Sequence, residues 1–174
     1  MIIGVYAFDD LGQIHIFRTL QLRTGKLIID TPRGFCPQVM LENGEQIYNT
    51  NPEKVIETLK KILKEETGDI LEIKDVTYLG ADIINTSCVT SKSALFAVKV
   101  DYNKFLQHSS VLTPDEFQRR QEQMQHEGLL GTIIDFLPEE YLAFSNNVNI
   151  IKDMAADTIS NRIMMNYFAN NLEE

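Results

Sequence analysis

The segment from Asn51 to Gly68 constrains the fold more than any other part of the chain. Its apolar residues recur at helical spacing and would share one face of a helix. They are Val55, Ile56, Leu59, Ile62 and Leu63. Asn51 suits the N-cap, Pro52 the first helical position and Gly68 the C-terminal cap. The sequence therefore predicts an amphipathic helix over about residues 53–67.

Segments rich in β-branched and aromatic residues lie on both sides of this helix. Two of them, residues 1–8 and 13–22, are separated by Asp9-Asp10-Leu11-Gly12, which favours a β-hairpin. Loop signals prevail over residues 37–51. Further strands are predicted at 27–29, 73–85 and 94–101, and further helices at about 113–127 and 150–170.

This order of strands and helices is typical of one mixed α/β (α+β) domain spanning residues 1–174. The length of 174 residues also favours one domain, since a domain takes roughly 100–200 residues. No linker rich in proline, glycine or serine divides the chain, and it contains no internal repeat. We therefore expect a single core.

Charge and cysteine content narrow the classes of partner. The chain has 16 basic and 25 acidic residues, a net charge of −9, so it lacks the basic surface that nucleic acids or anionic membranes require. No uncharged apolar run approaches the roughly 20 residues of a membrane span. The N-terminal apolar stretch is too short and too acidic for a signal peptide, and two cysteines cannot form a disulfide framework. We expect a cytoplasmic location.

Several common catalytic and metal-binding motifs are absent from the sequence. No nucleophile elbow, zinc-ligand spacing, dinucleotide fingerprint or P-loop occurs. The three histidines, His15, His108 and His126, have no evident partners, and His15 is predicted to lie on the sheet surface. Cys36 and Cys88 are interpreted as small core residues, because no basic neighbour lowers either thiol pKa.

The end of the predicted helix carries two adjacent carboxylates, Glu65 and Glu66. They repel each other and the negative end of the helix dipole, so a cation would relieve them. Mg²⁺ commonly takes one or two carboxylates together with substrate phosphates. Taken alone, the pair is more typical of a solvated helix end than of a metal site.

Further motifs accompany this pair along the chain, in a fixed order. They are Gln21-Leu22-Arg23, Asp30-Thr31-Pro32-Arg33-Gly34-Phe35, Asn43-Gly44-Glu45, Tyr78-Leu79-Gly80, residues 94–100 and residues 153–167. In this order, over about residues 2–168, the chain resembles the Nudix hydrolase family, particularly its ADP-ribose pyrophosphatase-like branch. The resemblance implies a mixed β-sheet sandwiched between helices. Dimerisation through the N-terminal strands is common in that branch.

The family's box, G-x5-E-x7-R-E-U-x-E-E-x-G-U with U an aliphatic residue, can be placed on the helix. With Glu65, Glu66 and Gly68 as anchors, Glu53 falls on the first glutamate and Leu63 on the first aliphatic position. The resemblance implies that Glu65 and Glu66 bind Mg²⁺ or Mn²⁺. It also implies cleavage of a pyrophosphate in a nucleoside-diphosphate-linked small molecule such as ADP-ribose, with Glu53 and Glu66 as catalytic residues.

The resembling branch also draws on residues outside the box. A catalytic carboxylate follows the later strands, and its candidates here are Glu116, Glu122 and Glu127, which otherwise form the solvated face of a polar helix. Arg23 and Arg33 are candidates for binding the substrate's phosphates or terminal ribose. The alternative for each arginine is a surface ion pair.

The box departs from the family pattern at key positions. Lys61 stands in place of its arginine, and Ile62 in place of a glutamate that normally binds metal. Asp69 replaces the last aliphatic residue, and Ile47 the opening glycine. Ile62 also fits the apolar stripe and is predicted to pack in the core, so two of three box ligands remain and metal binding is expected to be weak.

These departures leave two functional hypotheses. The first, narrowly favoured by the sequence, is a metal-dependent Nudix-type pyrophosphohydrolase. The second is a catalytically impaired Nudix-fold domain that binds a nucleotide or a protein partner without turnover.

Overall fold

The computed structural model describes residues 1–23, 26–67, 72–82, 93–108, 110–113, 115, 132–146, 151–152 and 154–171. These residues form a mixed α+β structure, which confirms the predicted fold class. The strands are β1 (Ile2–Phe8), β2 (Ile14–Arg23), β3 (Lys26–Asp30), β4 (Gln38–Met40), β5 (Gln46–Tyr48), β6 (Ile73–Asp82), β7 (Ser93–Val100), β8 (Ser110–Leu112), β9 (Thr132–Phe136) and β10 (Ile151–Lys152). The helices are α1 (Pro52–Thr67), α2 (Tyr102–His108), α3 (Pro138–Ser145) and α4 (Met154–Asn171).

Eight of these strands form one mixed sheet. Its main order is β10-β3-β2-β1-β7-β6, and β9 joins it by pairing with both β2 and β8. β1 and β2 form the predicted antiparallel hairpin, in which Val5 lies opposite Phe17. Gly12 in its turn has a φ of 78°, a conformation that glycine adopts without strain. β1 also pairs with β7 in parallel, so β1 lies inside the sheet.

Different helices cover the two faces of the sheet. Because side chains alternate along each strand, neighbouring residues of β1 pack against different helices. Ile3 and Val5 of β1 pack in one cluster with Leu59 and Leu63 of α1. Ile2 of β1 belongs to another cluster, formed with residues of β7 and α4. The sheet is therefore enclosed between α1 on one face and α4 on the other.

Gly4 allows α4 to lie close to the sheet. A Cβ atom at this position would come within 2.6 Å of Cγ1 of Ile159, far inside van der Waals contact. Ile159 is fully buried, as are Ala155 and Ala156 in the same helix. Small side chains on both elements thus bring the helix and the strand together.

The local predictions were confirmed where periodicity was strong and incomplete elsewhere. The helix predicted at 53–67 is α1. The helix predicted at 150–170 begins only at Met154, and Ile151–Lys152, predicted to belong to it, form the strand β10. The segment 37–51, predicted as loop, contains the short hairpin of β4 and β5. Elements α2, α3, β8 and β9 were not predicted, and the helix predicted at 113–127 lies almost entirely outside the described residues. No helix within the described ranges is both long and apolar enough to cross a membrane.

Candidate functional site

The last turns of α1 carry the carboxylate pair singled out by the sequence. The Glu65 side chain is 62% exposed, and its Oε1 lies 3.8 Å from Nζ of Lys61 one turn earlier. Glu66 is half-buried, and Thr67 donates a hydrogen bond of 2.6 Å to the carbonyl of Leu63. Lys61 therefore supplies some of the positive charge that these carboxylates attract.

Ile62 lies in the core, as its spacing predicted. It is 5% exposed and packs with Leu59 and Leu63 beneath the sheet. Its side chain also covers Gly34, where an added Cβ atom would come within 2.6 Å of Cδ1 of Ile62. A carboxylate at position 62 would be transferred from water to this apolar contact, at a high cost in free energy.

Glu53 lies at the opposite end of α1 from this pair. It precedes Glu65 by twelve residues, so about 18 Å of helix separates them at roughly 1.5 Å per residue. Its backbone N–H donates a hydrogen bond of 2.9 Å to Oδ1 of Asn51, the predicted N-cap. The structure does not bring Glu53 together with Glu65 and Glu66.

The two predicted substrate-binding arginines lie around β3. Arg33 forms an ion pair with Asp30, whose side chain is fully buried at the end of that strand. The arginine side chain itself is one-third exposed, so one side of it faces solvent. Arg23 lies in β2 opposite Lys26 of β3, and its side chain is not described.

The predicted late carboxylates Glu116, Glu122 and Glu127 lie outside the described residues. Within the part of the chain that the structure describes, no three His, Cys, Asp or Glu side chains form a group that could bind a metal ion. Glu65 and Glu66, the metal ligands implied by the resemblance, are described, but they form no such group with a third described ligand.

Sequence reasoning missed a polar cluster around His15, and its prediction of a surface histidine without a partner was wrong. His15 is buried, and a hydrogen bond of 2.8 Å joins its Nδ1 to Oδ1 of Asp135. Tyr102 donates a hydrogen bond of 3.2 Å to the other carboxylate oxygen, and its ring lies tilted against that of His15 with centroids 4.3 Å apart. β9 and α2 bring these partners in, and neither element was predicted.

Burial is the largest influence on the pKa values of Asp135 and Tyr102 in this cluster. It raises the pKa of Asp135 above its ordinary value, although hydrogen bonds from His15 and Tyr102 oppose the shift. Burial, together with the Asp135 charge, raises the pKa of Tyr102 to about 12. The pKa of Asp9 is lowered, because hydrogen bonds and the nearby His15 outweigh the opposing effect of desolvation.

The hydrogen bond between a histidine and a carboxylate is an arrangement used in general acid–base catalysis. The second ring nitrogen of His15, Nε2, is however buried and lies 3.5 Å from Oδ2 of Asp9. A substrate therefore has no access to this atom. The cluster instead holds the β1–β2 turn, β9 and α2 together.

A second missed cluster surrounds Arg18, which is fully buried on the other face of β2. Its Nε donates a hydrogen bond of 3.0 Å to Oγ of Ser160 in α4, and its guanidinium carbon lies 5.5 Å from the ring centroid of Tyr141 in α3. Burial lowers the pKa of Arg18, while Tyr141, Asp157 and Asp30 oppose that shift. The sequence contains one signal for this cluster. Arg18 follows Ile14 and Ile16 at two-residue spacing, which places a cation on the same face of the strand as two apolar side chains.

A groove of about 630 Å³ lies at the start of α1, beside the outer strands of the sheet. Pro52, Val55 and Ile56 of the helix form one wall of the groove. Side chains of β5, β6 and β7 contribute to the rest of its lining. Ile56 precedes Glu65 by nine residues, or about 14 Å of helix at roughly 1.5 Å per residue. The groove and the carboxylate pair are therefore separate candidate sites.

Comparisons with known proteins do not assign the chain to a family. Neither a protein-family model nor a curated protein matches the chain.

Proposed function

We propose that this chain is a Nudix-like domain that binds a nucleotide diphosphate without turnover. The observation that carries the proposal is the packing of Ile62 against Gly34, at the position where the Nudix box has a metal-binding glutamate. A cytoplasmic location belongs to the same proposal.

The loss of this carboxylate weakens metal-dependent catalysis for a physical reason. In diphosphate hydrolysis the metal neutralises developing charge and lowers the pKa of the attacking water. Loss of even an outer-shell partner typically costs about 10–100-fold in metal affinity or activity. With Glu65 exposed and in contact with Lys61, two remaining carboxylates offer a weak site for Mg²⁺ or Mn²⁺.

Turnover and binding are measured side by side to test the proposal. ADP-ribose is incubated with the protein and Mg²⁺ or Mn²⁺, and release of AMP is compared with a protein-free sample. We expect release no faster than in the protein-free sample, together with a rise in the thermal unfolding temperature on addition of ADP-ribose. Turnover above background, or no effect of ADP-ribose on unfolding, would contradict the proposal.

The second candidate function is a metal-dependent pyrophosphohydrolase, which the survival of both Glu65 and Glu66 on the last turn of α1 supports. If it is correct, Glu66→Gln abolishes AMP release. Glu57→Gln serves as a matched control, because Glu57 is an exposed carboxylate of the same helix that pairs with Lys54 at 2.7 Å. Equal activity of the two variants would exclude a role for the pair.

Ile62→Glu tests whether the box has been placed correctly. If Glu65 and Glu66 belong to a degenerate metal site, this variant binds Mg²⁺ more tightly than the wild type, as measured by Mg²⁺-induced thermal stabilisation. An unchanged response to Mg²⁺ in folded variant protein shows that the box alignment is wrong.

A further inference from the structure

The groove at the start of α1 has the size of a small-molecule site. Its volume of about 630 Å³ falls within the roughly 300–1,000 Å³ typical of ligand pockets. Its lining comes from α1, from the main sheet and from the β4–β5 hairpin, so three separate parts of the fold converge on it.

The chemistry of the lining restricts the ligand. None of the described side chains that line the groove is an acid, a lysine, an arginine or a histidine, although the chain as a whole carries a net charge of −9. The α-ammonium of Met1, which also belongs to the lining, donates a hydrogen bond to the carbonyl of Gly34. A charged ligand would lose its hydration there without gaining a side-chain partner of opposite charge. The groove therefore favours an uncharged compound.

Aromatic rings stand at the groove on two different sheets. Tyr78 of β6 is 59% exposed and contacts Phe96 of β7 with ring centroids 5.3 Å apart. Tyr48 of β5 is 64% exposed. Such exposed rings provide stacking surfaces for planar aromatic compounds.

Polar groups at one end of the groove can form hydrogen bonds with the edge of an aromatic ring. Asn49 and Thr50 line it between Tyr48 and the helix. The backbone N–H of Asn49 already donates a hydrogen bond of 2.8 Å to the carbonyl of Pro37, which ties this end of the β4–β5 hairpin to the loop after β3. Its side-chain Oδ1 accepts a hydrogen bond of 2.9 Å from the backbone N–H of Asn51, so a ligand would meet the amide nitrogen of Asn49 rather than its oxygen. A few polar groups on apolar walls are usual in sites that orient a ligand.

We propose that this groove binds an uncharged, planar, fused-ring heteroaromatic compound by stacking on Tyr78 and Tyr48. The site does not involve the last turns of α1, so it does not depend on the nucleotide diphosphate proposed above.

The fluorescent nucleoside 2-aminopurine riboside is the probe for this proposal, and its 5′-monophosphate is the charge control. We expect the nucleoside to bind with quenching of its fluorescence, equally well with Mg²⁺ or with EDTA. The monophosphate should bind no more tightly. Absence of quenching and of thermal stabilisation at millimolar nucleoside, or tighter binding of the monophosphate, would overturn the proposal.

Substitutions in the groove test whether the nucleoside binds there. Tyr78→Ala and Tyr48→Ala should each weaken nucleoside binding at least tenfold, and Tyr78→Phe should retain it because the ring remains. Met165→Ala is a control at an exposed position of α4, on the other face of the sheet. Glu66→Gln should leave nucleoside binding unchanged, which separates this site from the carboxylate pair. Equal affinity of both tyrosine-to-alanine variants and the wild type would refute the assigned location.

Discussion

The side chain of Ile62 in α1 lies directly over Gly34, in the segment that follows β3. Cδ1 of Ile62 is placed so that a Cβ atom added to Gly34 would stand 2.6 Å from it. This contact joins the helix to the loop, and it fixes position 62 as a core position.

Gly34→Ala should destabilise the protein by about 1–3 kcal/mol, because the added methyl group overpacks this contact. Urea unfolding measures the loss. Gly34→Ala should cost less in an Ile62→Ala background, since alanine lacks both Cδ1 and Cγ1, the two atoms within 2.7 Å of the added Cβ. Additive effects of the two substitutions would show that they do not share a contact.

Without divalent metal, Ile62→Glu should cost about 3 kcal/mol or more near neutral pH, because it places an unpaired carboxylate in the core. Burial should raise the pKa of the new carboxyl group above its unfolded value of about 4.3. The variant is then least destabilised below that unfolded pKa, and its stability falls as the pH rises through the folded pKa. Unfolding measured at several pH values between 4 and 8, with Ile62→Val as the control, tests whether the stability of the variant falls as the pH rises.

His15→Phe should destabilise the protein by about 1–3 kcal/mol, because it leaves Asp135 buried with fewer hydrogen bonds while keeping a ring against Tyr102. Adding Asp135→Leu should restore part of the loss, since no carboxylate then remains to be desolvated. Thermal and urea unfolding of the two single variants and the double variant measure the coupling. A double variant no more stable than His15→Phe would mean that the pair is not coupled.

Arg18→Met should destabilise the protein by about 3 kcal/mol or more, because it removes a buried charged hydrogen-bond donor from Ser160 and the surrounding network. Arg162→Met is the matched control, since Arg162 is an exposed arginine of α4. We expect it to change the stability by less than about 0.5 kcal/mol. Similar losses in the two variants would contradict the structural role of Arg18.

Glu72 should titrate far below an ordinary glutamate. Hydrogen bonds from Lys104 and Lys74 lower its pKa to about 2. Any stability that it contributes is therefore present above its ordinary pKa of 4.5 and lost as the pH falls towards 2. NMR titration of the side-chain carboxyl carbon measures this pKa, which should rise in Lys104→Met and in high salt.

The sequence alone predicted those parts of the fold that depend on neighbours along the chain. The stripe that contains Leu59 and Ile62 defined α1 and the burial of both residues, because helical spacing places them on one face. The turn at Gly12 defined the first hairpin. These signals act within a few residues and need no knowledge of distant strands.

The polar clusters could not be predicted in this way. His15 and Asp135 are 120 residues apart in the sequence, and Arg18 and Ser160 are 142 apart. Such partners become visible only when the sheet order is known. The strand β9 itself carries a local signal, since all of its residues except Asp135 are β-branched or aromatic, but that signal does not show which strands it pairs with. For the candidate site, the sequence indicated the carboxylate pair and the burial of Ile62, but it did not indicate the aromatic groove.

The position of β1 inside the sheet has a consequence for synthesis on the ribosome. β1 pairs with β2 soon after both are made, but its parallel partner β7 ends only at Val100. Contacts of such long sequence separation slow folding, because a large loop must close before they form. Until then, the apolar strand that contains Ile2, Ile3 and Val5 presents an open edge, and a nascent chain in this state is prone to pair with another chain and aggregate.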